Sequence, residues 1–262
     1  MFQEERLVKI LDYLKQHKTM SVGEICSFFQ VSRDTARRDI VRLVQEGVVV
    51  RTHGGVALPE LQKELTSYQE RLIDEPTSKN VIGEHGAKLI RDHETVFLDV
   101  STTVQFVAEH IQAREITAVT HSIDNVGILS KREDLSIYLL GGYLHTQNRL
   151  LYGPSVIDKI SEIRADKAFI GATAIQPDGL YYPYEEDVQV KREMARRSDQ
   201  VILVADHTKF AVKSRFKLDL DHVDIIVTDR SIPIEIQEIL DNKNITLIVC
   251  QAHNQQDGVE SK

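Results

Sequence analysis

The stretch "VSRDTARRDIVRLVQEGVVVRTHGG", Val31 to Gly55, sets Arg33, Arg37, Arg38 and Arg42 within ten positions of a 262-residue chain whose net charge is −8. Residues 1–60 carry nine Lys/Arg against eight Asp/Glu, so the negative balance lies in the remainder of the chain. An acidic bulk repels a polyanion, which confines any nucleic-acid contact to the N-terminal part. Arginines on a short helix often do no more than face water. The surroundings of these four decide between that reading and a grip on DNA.

Ser32 stands ahead of the run as an N-cap, Asp34 complements the helix dipole in the first turn, and Gly47 marks a stop. On a helical wheel Ala36, Ile40, Leu43 and Val44 share one side. Thr35, Arg38, Arg42, Asp34 and Gln45 point away, with Arg37 on the flank and Arg33 in the opening turn. Upstream, Leu7, Ile10, Leu11 and Leu14 form one stripe of an amphipathic helix. "SVGEICSFFQ" then opens with Ser21 and Glu24 in capping-box spacing and repeats Val22, Ile25, Phe28 and Phe29 at helical intervals. Two helices joined by a tight turn, the second exposing Thr and Arg early, make a helix-turn-helix. "VVVRTHGGVAL" reads as a two-stranded hairpin with Arg51 and His53 beside its tip. The prediction is a winged helix-turn-helix over residues 1–57. Thr35, Arg38 and Arg33 are expected near bases and Arg37, Arg42 and Arg51 nearer phosphates, with Ser21, Ser32 and His53 completing the DNA-binding set.

Residues 58–80 read as a linker, punctuated by Pro59 and Pro76 around a charged, helical segment with little apolar periodicity. From residue 81 to 252, apolar runs alternate with helical patterns: "TVFLDV", "ITAVTH", "LSIYLLGG", "KAFIGA", "QVILVAD", "VDIIVTD" and "ITLIVC". Continuous Val/Ile/Leu runs suit strands buried on both faces, and interleaved helices imply βαβ units, so the fold class is a doubly wound α/β body. Residues 253–262 are a polar C-terminal tail.

Ligands of such sheets bind outside the carboxyl ends of the strands. Those ends deliver Asp99 followed by Ser101, Thr102 and Thr103 ahead of a helix, then Thr120 and His121, then Gly141 and Gly142, and later Asp206 with Lys209 close behind. Glu186 and Lys191 fall on or beside a helix start. Taken singly, each has a bland explanation as a helix cap, a turn, a surface charge or a structural histidine. Taken together, hydroxyls, helix N–H groups and lysines at one sheet edge suit a phosphate-bearing sugar or polyol. No G-x-G-x-x-G follows the first strand of the body and no Walker loop occurs, so neither a dinucleotide nor ATP hydrolysis is expected. No cofactor or metal is expected either.

The long motif Arg37-Arg38-Asp39, Arg51 and His53-Gly54-Gly55 resembles the N-terminal signature of the DeoR family of bacterial sugar-responsive regulators. The resemblance continues through "SYQER", "FLDVSTT", "VTHS", "LLGGYLH", "GPSV", "DKAFIGATAI", "EEDVQVK" and "VADHTKF", to about residue 230. It implies a sensor domain similar in fold to ribose-5-phosphate isomerase. It also implies an effector pocket lined by Asp99, Ser101 to Thr103, Gly141, Gly142, Glu186, Lys191, Asp206 and Lys209. Three positions depart from the family's usual wording: Ala36 stands where a β-branched residue is commoner, Ser101 where glycine is common and His121 where asparagine is common.

The expected function is a repressor of a sugar or polyol operon, released by a phosphorylated sugar and acting as a homo-oligomer, dimer or tetramer, on a twofold operator. An enzyme of the phosphosugar isomerase type with a DNA-binding appendage is the alternative, with Glu186 and Lys191 supplying the chemical types. Acids at the N-terminus, two distant cysteines (Cys26 and Cys250) and no long apolar run predict a cytoplasmic protein without a membrane segment.

Overall fold

The structure is a computed structural model in which residues 3–17, 19–46, 48–52, 55–57 and 68–250 are described. It divides into two compact units at Thr66/Ser67.

The N-terminal unit runs α1 (Gln3–His17), β1 (Thr19–Ser21), α2 (Val22–Phe29), α3 (Arg33–Gln45), β2 (Val50–Thr52) and β3 (Gly55–Ala57). The capping box forms at α2: Ser21 Oγ accepts from Glu24 N at 3.1 Å and Glu24 Oε2 accepts from Ser21 N at 2.7 Å. Ser32 Oγ caps α3 through Thr35 N at 3.2 Å. Leu7, Ile10 and Leu14 of α1 meet Ile25 and Phe29 of α2 and Ala36, Ile40 and Leu43 of α3 in one core. Phe28 and Val44, which the wheels put with the core, are exposed instead; Phe28 packs edge-on against Tyr13 and Phe29. Three short helices provide one narrow seam, which takes the whole α1 stripe but leaves out one apolar position each of α2 and α3.

The wing has three strands rather than two. β1 pairs antiparallel with β3, which also pairs with β2. Gly55 is what permits this, because a Cβ there would stand 2.2 Å from the Met20 carbonyl oxygen. His53 and Gly54 lie outside the described residues.

The feature that fixes α1 on α3 is polar. Asp39 is fully buried in α3, where it accepts from Arg6 Nε at 2.5 Å, Arg6 Nη2 at 3.0 Å and Gln3 Nε2 at 3.0 Å. The acid in the Arg-Arg-Asp core is thus a scaffold residue that holds its neighbouring arginines toward solvent.

The C-terminal unit continues α4 (Tyr68–Ile73), α5 (Pro76–Ala87), β4 (Thr95–Leu98), α6 (Thr102–His110), β5 (Thr117–Thr120), α7 (Ile123–Leu129) and β6 (Ser136–Leu139). A hairpin of β7 (Tyr143–His145) and β8 (Leu150–Tyr152) leads to α8 (Pro154–Ser161), β9 (Ala165–Ile170), β10 (Ala174–Gln176) and β11 (Gly179–Tyr182). Then come α9 (Glu185–Arg196), β12 (Ser198–Val204), β13 (Phe216–Leu218), β14 (Ile225–Thr228), α10 (Ile234–Asn242) and β15 (Thr246–Val249).

The seven apolar runs of the sequence become one seven-stranded sheet, β15-β14-β12-β9-β4-β5-β6, parallel throughout. Alternate residues feed two cores. Val96, Leu98, Phe169, Ile202 and Val204 meet α5, α6 and α7 on one face; Phe97, Ala168, Ile170, Val201 and Leu203 meet α8, α9 and α10 on the other. The chain winds outward from β4 to β6, then returns to β9 on the other side of β4. The topological switch point therefore lies between β4 and β9, where ligands of such sheets bind.

The linker reading of residues 58–80 is corrected from Tyr68 onward. Tyr68 is fully buried and donates from its hydroxyl to Gln105 Oε1 at 2.8 Å, while its backbone N–H reaches the Gln147 carbonyl at 3.2 Å. A single aromatic anchor and a buried lysine, Lys79, tie this polar segment into the body, and neither produces an apolar repeat.

Arg6→Ala leaves Asp39 buried without its cation and is expected to destabilise the N-terminal unit by about 3–5 kcal/mol. Hydrogen exchange of α1 and α3 amides in the full-length protein reads this directly. Protection unchanged within about 1 kcal/mol would remove the ion pair from its structural role.

Candidate functional site

On the N-terminal unit, Arg33, Arg37 and Arg38 are exposed along the first turns of α3, and Thr35 is half-buried with its Oγ1 3.0 Å from Ser32 Oγ. Arg38 Nε donates to the Asp34 carbonyl at 3.3 Å, and Arg37 Nη1 lies 4.0 Å from Asp34 Oδ1. Arg42 is held within its own unit by Glu46 at 3.0 Å, Gln3 Oε1 at 3.3 Å and Glu4 at 3.8 Å. Arg51 belongs to β2. Ser21 and Ser32 have their hydroxyls engaged as helix caps.

In the C-terminal unit the switch point is organised by Asp99, which has no solvent exposure. Its Oδ2 accepts from Gly171 N at 3.1 Å, and Lys191 Nζ from α9 stands 3.0 Å from Oδ1. That approach is poorly directed for a hydrogen bond, so Oδ1 is left without one while the charges balance. The Lys191 ammonium also sits over the Tyr182 ring, 4.8 Å from its centroid, and Tyr182 donates to the Gly171 carbonyl at 2.9 Å. Gly171 cannot carry a side chain: a Cβ would fall 2.2 Å from Ser101 Oγ. Ser101 caps α6 through Thr103 N at 3.2 Å, and Thr102 and Thr103 are buried at its start.

A cationic belt adjoins this pair. The Arg71 guanidinium of α4 lies 5.7 Å from the Tyr68 ring centroid, and its buried Nε has no partner. Burial holds its pKa below the usual range against the fields of Asp187 and Asp99. Lys79 donates to the Arg71 carbonyl at 2.6 Å and to the Asp74 carbonyl, and burial pushes its pKa down to about 8. Asp206 caps the short 3₁₀ turn His207–Ala211 through Thr208 N at 2.9 Å, with Lys209 Nζ at 3.7 Å. Burial alone would raise the Asp206 pKa, but Lys209, the Thr208 bonds and Lys79 outweigh it and the net direction is down.

Beside the pair opens a cavity of ≈ 250 Å³. His121 enters it from the end of β5. The β7–β8 hairpin contributes His145, Asn148, Leu150, Leu151 and Tyr152, and the start of α9 contributes Tyr184, Glu186, Asp187 and Val190. Burial raises the Asp187 pKa against the field of Lys191. His121 is almost fully buried, its Nδ1 has no partner, and burial pushes its pKa down to about 4.

The structure therefore gathers Asp99, Ser101, Thr102, Thr103 and Lys191 at the switch point, His121 and Glu186 at the cavity, and Asp206 with Lys209 in the belt. Three further expected residues follow or end the strands β5 and β6, and two of them, Thr120 and Gly142, also have structural work. Thr120 Oγ1 donates to the Leu98 carbonyl at 2.6 Å and accepts from Ser122 N at 3.1 Å. Gly142 has φ +154° and a Cβ there would meet the Tyr152 carbonyl oxygen at 2.4 Å, so the position needs glycine; Gly141 is exposed beside it. Sequence reasoning missed Arg71, Lys79, Asp187 and the hairpin residues. "SYQER" was the available signal for Arg71 but was assigned to the linker; the hairpin strands are three residues each and show no period.

Comparison with known proteins fits this division. Residues 6–62 match the DeoR-like helix-turn-helix domain and residues 74–230 the DeoR C terminal sensor domain. The HTH-type transcriptional repressor GlcR of Bacillus subtilis (strain 168) is 43% identical over 98% of this chain and 100% of its own length. The Glycerol-3-phosphate regulon repressor of Escherichia coli (strain K12) is 31% identical over 95% and 100%. Among solved structures, ribose 5 phosphate isomerase A from Neisseria gonorrhoeae aligns over 53% of this chain and 54% of its own at 15% identity, with a TM-score of 0.38. The class is a helix-turn-helix transcriptional regulator with an α/β sensor domain. The chain belongs to the DeoR family, and its relatives are regulators rather than enzymes, which sets the isomerase alternative aside. Among the described residues no helix is long and apolar enough to cross a membrane.

His121 supplies a pH test of this geometry. An unfolded chain protonates histidine near pH 6.5, the folded one only near pH 4, so between those values the unfolded state binds more protons. Stability should fall as pH drops from 6.5 to 4. His121→Gln should flatten that limb in parallel melting curves; an unchanged limb would mean the imidazole is not buried neutral.

Proposed function

We propose that this protein represses a sugar or polyol operon by docking α3 of paired copies in successive major grooves, and that a phosphorylated sugar bound to the body releases it. Thr35, Arg38 and Arg33 read bases. Arg37, Arg42, Arg51 and His53 serve phosphates, with Ser21 and Ser32 fixing the helix starts beside them. Arg42 reaches a phosphate only by leaving its acidic partners, so its contribution is the smaller.

The observation that carries the effector reading is the set of cations around the switch point. Lys191, Arg71, Lys79 and Lys209 ring the carboxyl ends of the parallel strands, next to the start of α6, in an otherwise acidic body. Such a concentration of buried or half-buried positive charge, with helix N–H groups alongside, favours a phosphate dianion. Asp99, Ser101, Thr102, Thr103, Glu186, Asp206 and Lys209 complete this site; Gly141, Gly142 and Thr120 shape its walls. The relative named for the glycerol-3-phosphate regulon supports a phosphate ester as the class. A twofold operator calls for a homodimer or tetramer in the cytoplasm.

Two substitutions separate the units. Arg38→Ala is expected to weaken operator binding tenfold or more while ligand-induced thermal stabilisation persists. Lys209→Ala is expected to keep operator binding in a gel shift but to blunt release by sugar phosphates. Normal release by the Lys209 variant, or loss of thermal stabilisation in the Arg38 variant, would contradict the proposed assignment.

A further inference from the structure

The cavity and the cationic belt have opposite chemistry. Among the described residues lining the cavity there is no lysine or arginine, and Glu186 and Asp187 supply two carboxylates. A phosphate dianion placed there meets like charge, whereas hydroxyl groups find acceptors in the acids and partners in His145, Asn148 and Tyr152. Leu150, Leu151 and Val190 offer apolar surface to a carbon chain. The volume of ≈ 250 Å³ suits a small polyol rather than a drug-sized ligand.

His121 stands where the two chemistries meet. It lines the cavity, and the Asp99–Lys191 pair acts on its ring electrostatically. Its backbone carbonyl is fixed by Leu151 N at 2.8 Å, so the residue is held at the strand end. Its Nδ1, however, is buried and unpartnered, and a buried polar atom without a partner carries a desolvation cost that a ligand atom can remove.

From this we infer that His121 is a specificity-determining residue of the effector site: its ring, which lines the cavity, turns on ligand binding to bring the unpartnered Nδ1 to a ligand hydroxyl, and the cavity holds the polyol end while the phosphate faces Lys191 and Arg71. This rests on the phosphate-ester reading above. Burial keeps the imidazole neutral down to about pH 4, so at physiological pH it selects a hydroxyl rather than an anion. An ester lacking that hydroxyl leaves the nitrogen unsatisfied and is rejected.

The test is calorimetric titration of the full chain at pH 7.5 with inorganic phosphate, glycerol 3-phosphate, glucose 6-phosphate, fructose 6-phosphate and sorbitol 6-phosphate. At least one ester should bind roughly tenfold tighter than inorganic phosphate. In His121→Leu that advantage should shrink about tenfold while the phosphate Kd holds. His121→Gln, which keeps hydrogen-bonding atoms, should retain the fold and restore part of the advantage with a changed ranking of the esters. An ester-to-phosphate ratio that survives His121→Leu, equal weakening of ester and phosphate, or an unchanged ranking in His121→Gln would each overturn the role of His121. If no ester exceeds inorganic phosphate on the unaltered protein, the phosphate-ester reading itself falls, whatever the variants do.

Discussion

Asp99 brings a carboxylate to the end of a central strand, at a point with no solvent exposure, and the body is arranged around making that tolerable. A buried charge without compensation costs several kcal/mol. Lys191 from α9 and the Gly171 N–H from the end of β9 supply the compensation, so one carboxylate joins β4, β9 and α9 at the switch point. Gly171 has to be glycine because Ser101 occupies the space a side chain would need. The result is a buried centre whose charges are paired but whose Asp99 Oδ1 still lacks a well-directed hydrogen bond. On the proposed reading, an arriving phosphate shares Lys191 with Asp99 rather than displacing it, because Asp99 without its cation would be an uncompensated buried charge.

The two units follow one rule at different scales. In the N-terminal unit the buried pair Arg6–Asp39 fixes α1 on α3, leaving Arg33, Arg37 and Arg38 exposed. In the body, Lys191–Asp99 fixes α9 on the sheet and Arg71 is left with an unpartnered Nε. In each, one buried ion pair fixes a helix, and further cations stand close by. The segment from Tyr68 gives the body its first anchor after the N-terminal unit. Tyr68 bonds both the cavity hairpin and α6, and Arg71 of the same helix feels the charges of the site. A ligand that shifts the hairpin or draws on Arg71 therefore acts on the residues nearest the connection between the units.

Much of this was legible in the sequence where apolar residues repeat. All seven runs read as strands became strands of the parallel sheet; the five inner ones are apolar because both faces are buried, whereas the edge strands β6 and β15 keep apolar runs although most of their residues are exposed or half-buried. The capping residues Ser21 and Ser32 were readable for a similar reason, since a cap is a local device with a fixed spacing. Elements held by one contact were not legible. β1 is three residues paired across the wing, the β7–β8 hairpin is half exposed, and α4 carries a single buried tyrosine in a polar run. The site divided along the same line. Asp99 stands at a strand end and Lys191 in the middle of α9, both within runs the sequence shows, whereas Arg71, Lys79 and Asp187 are placed by packing that no period announces. Thr120 and Gly142 also serve the backbone, as hydroxyls and glycines at strand ends commonly do.

On the proposed reading ligand and operator are coupled through one protein, and linkage makes that coupling reciprocal. The most direct measurement is the operator Kd with and without a saturating sugar phosphate, set against the Kd of that sugar phosphate with and without operator. The same weakening factor is expected in both directions. A ligand that binds the body while leaving the operator Kd unchanged would contradict it.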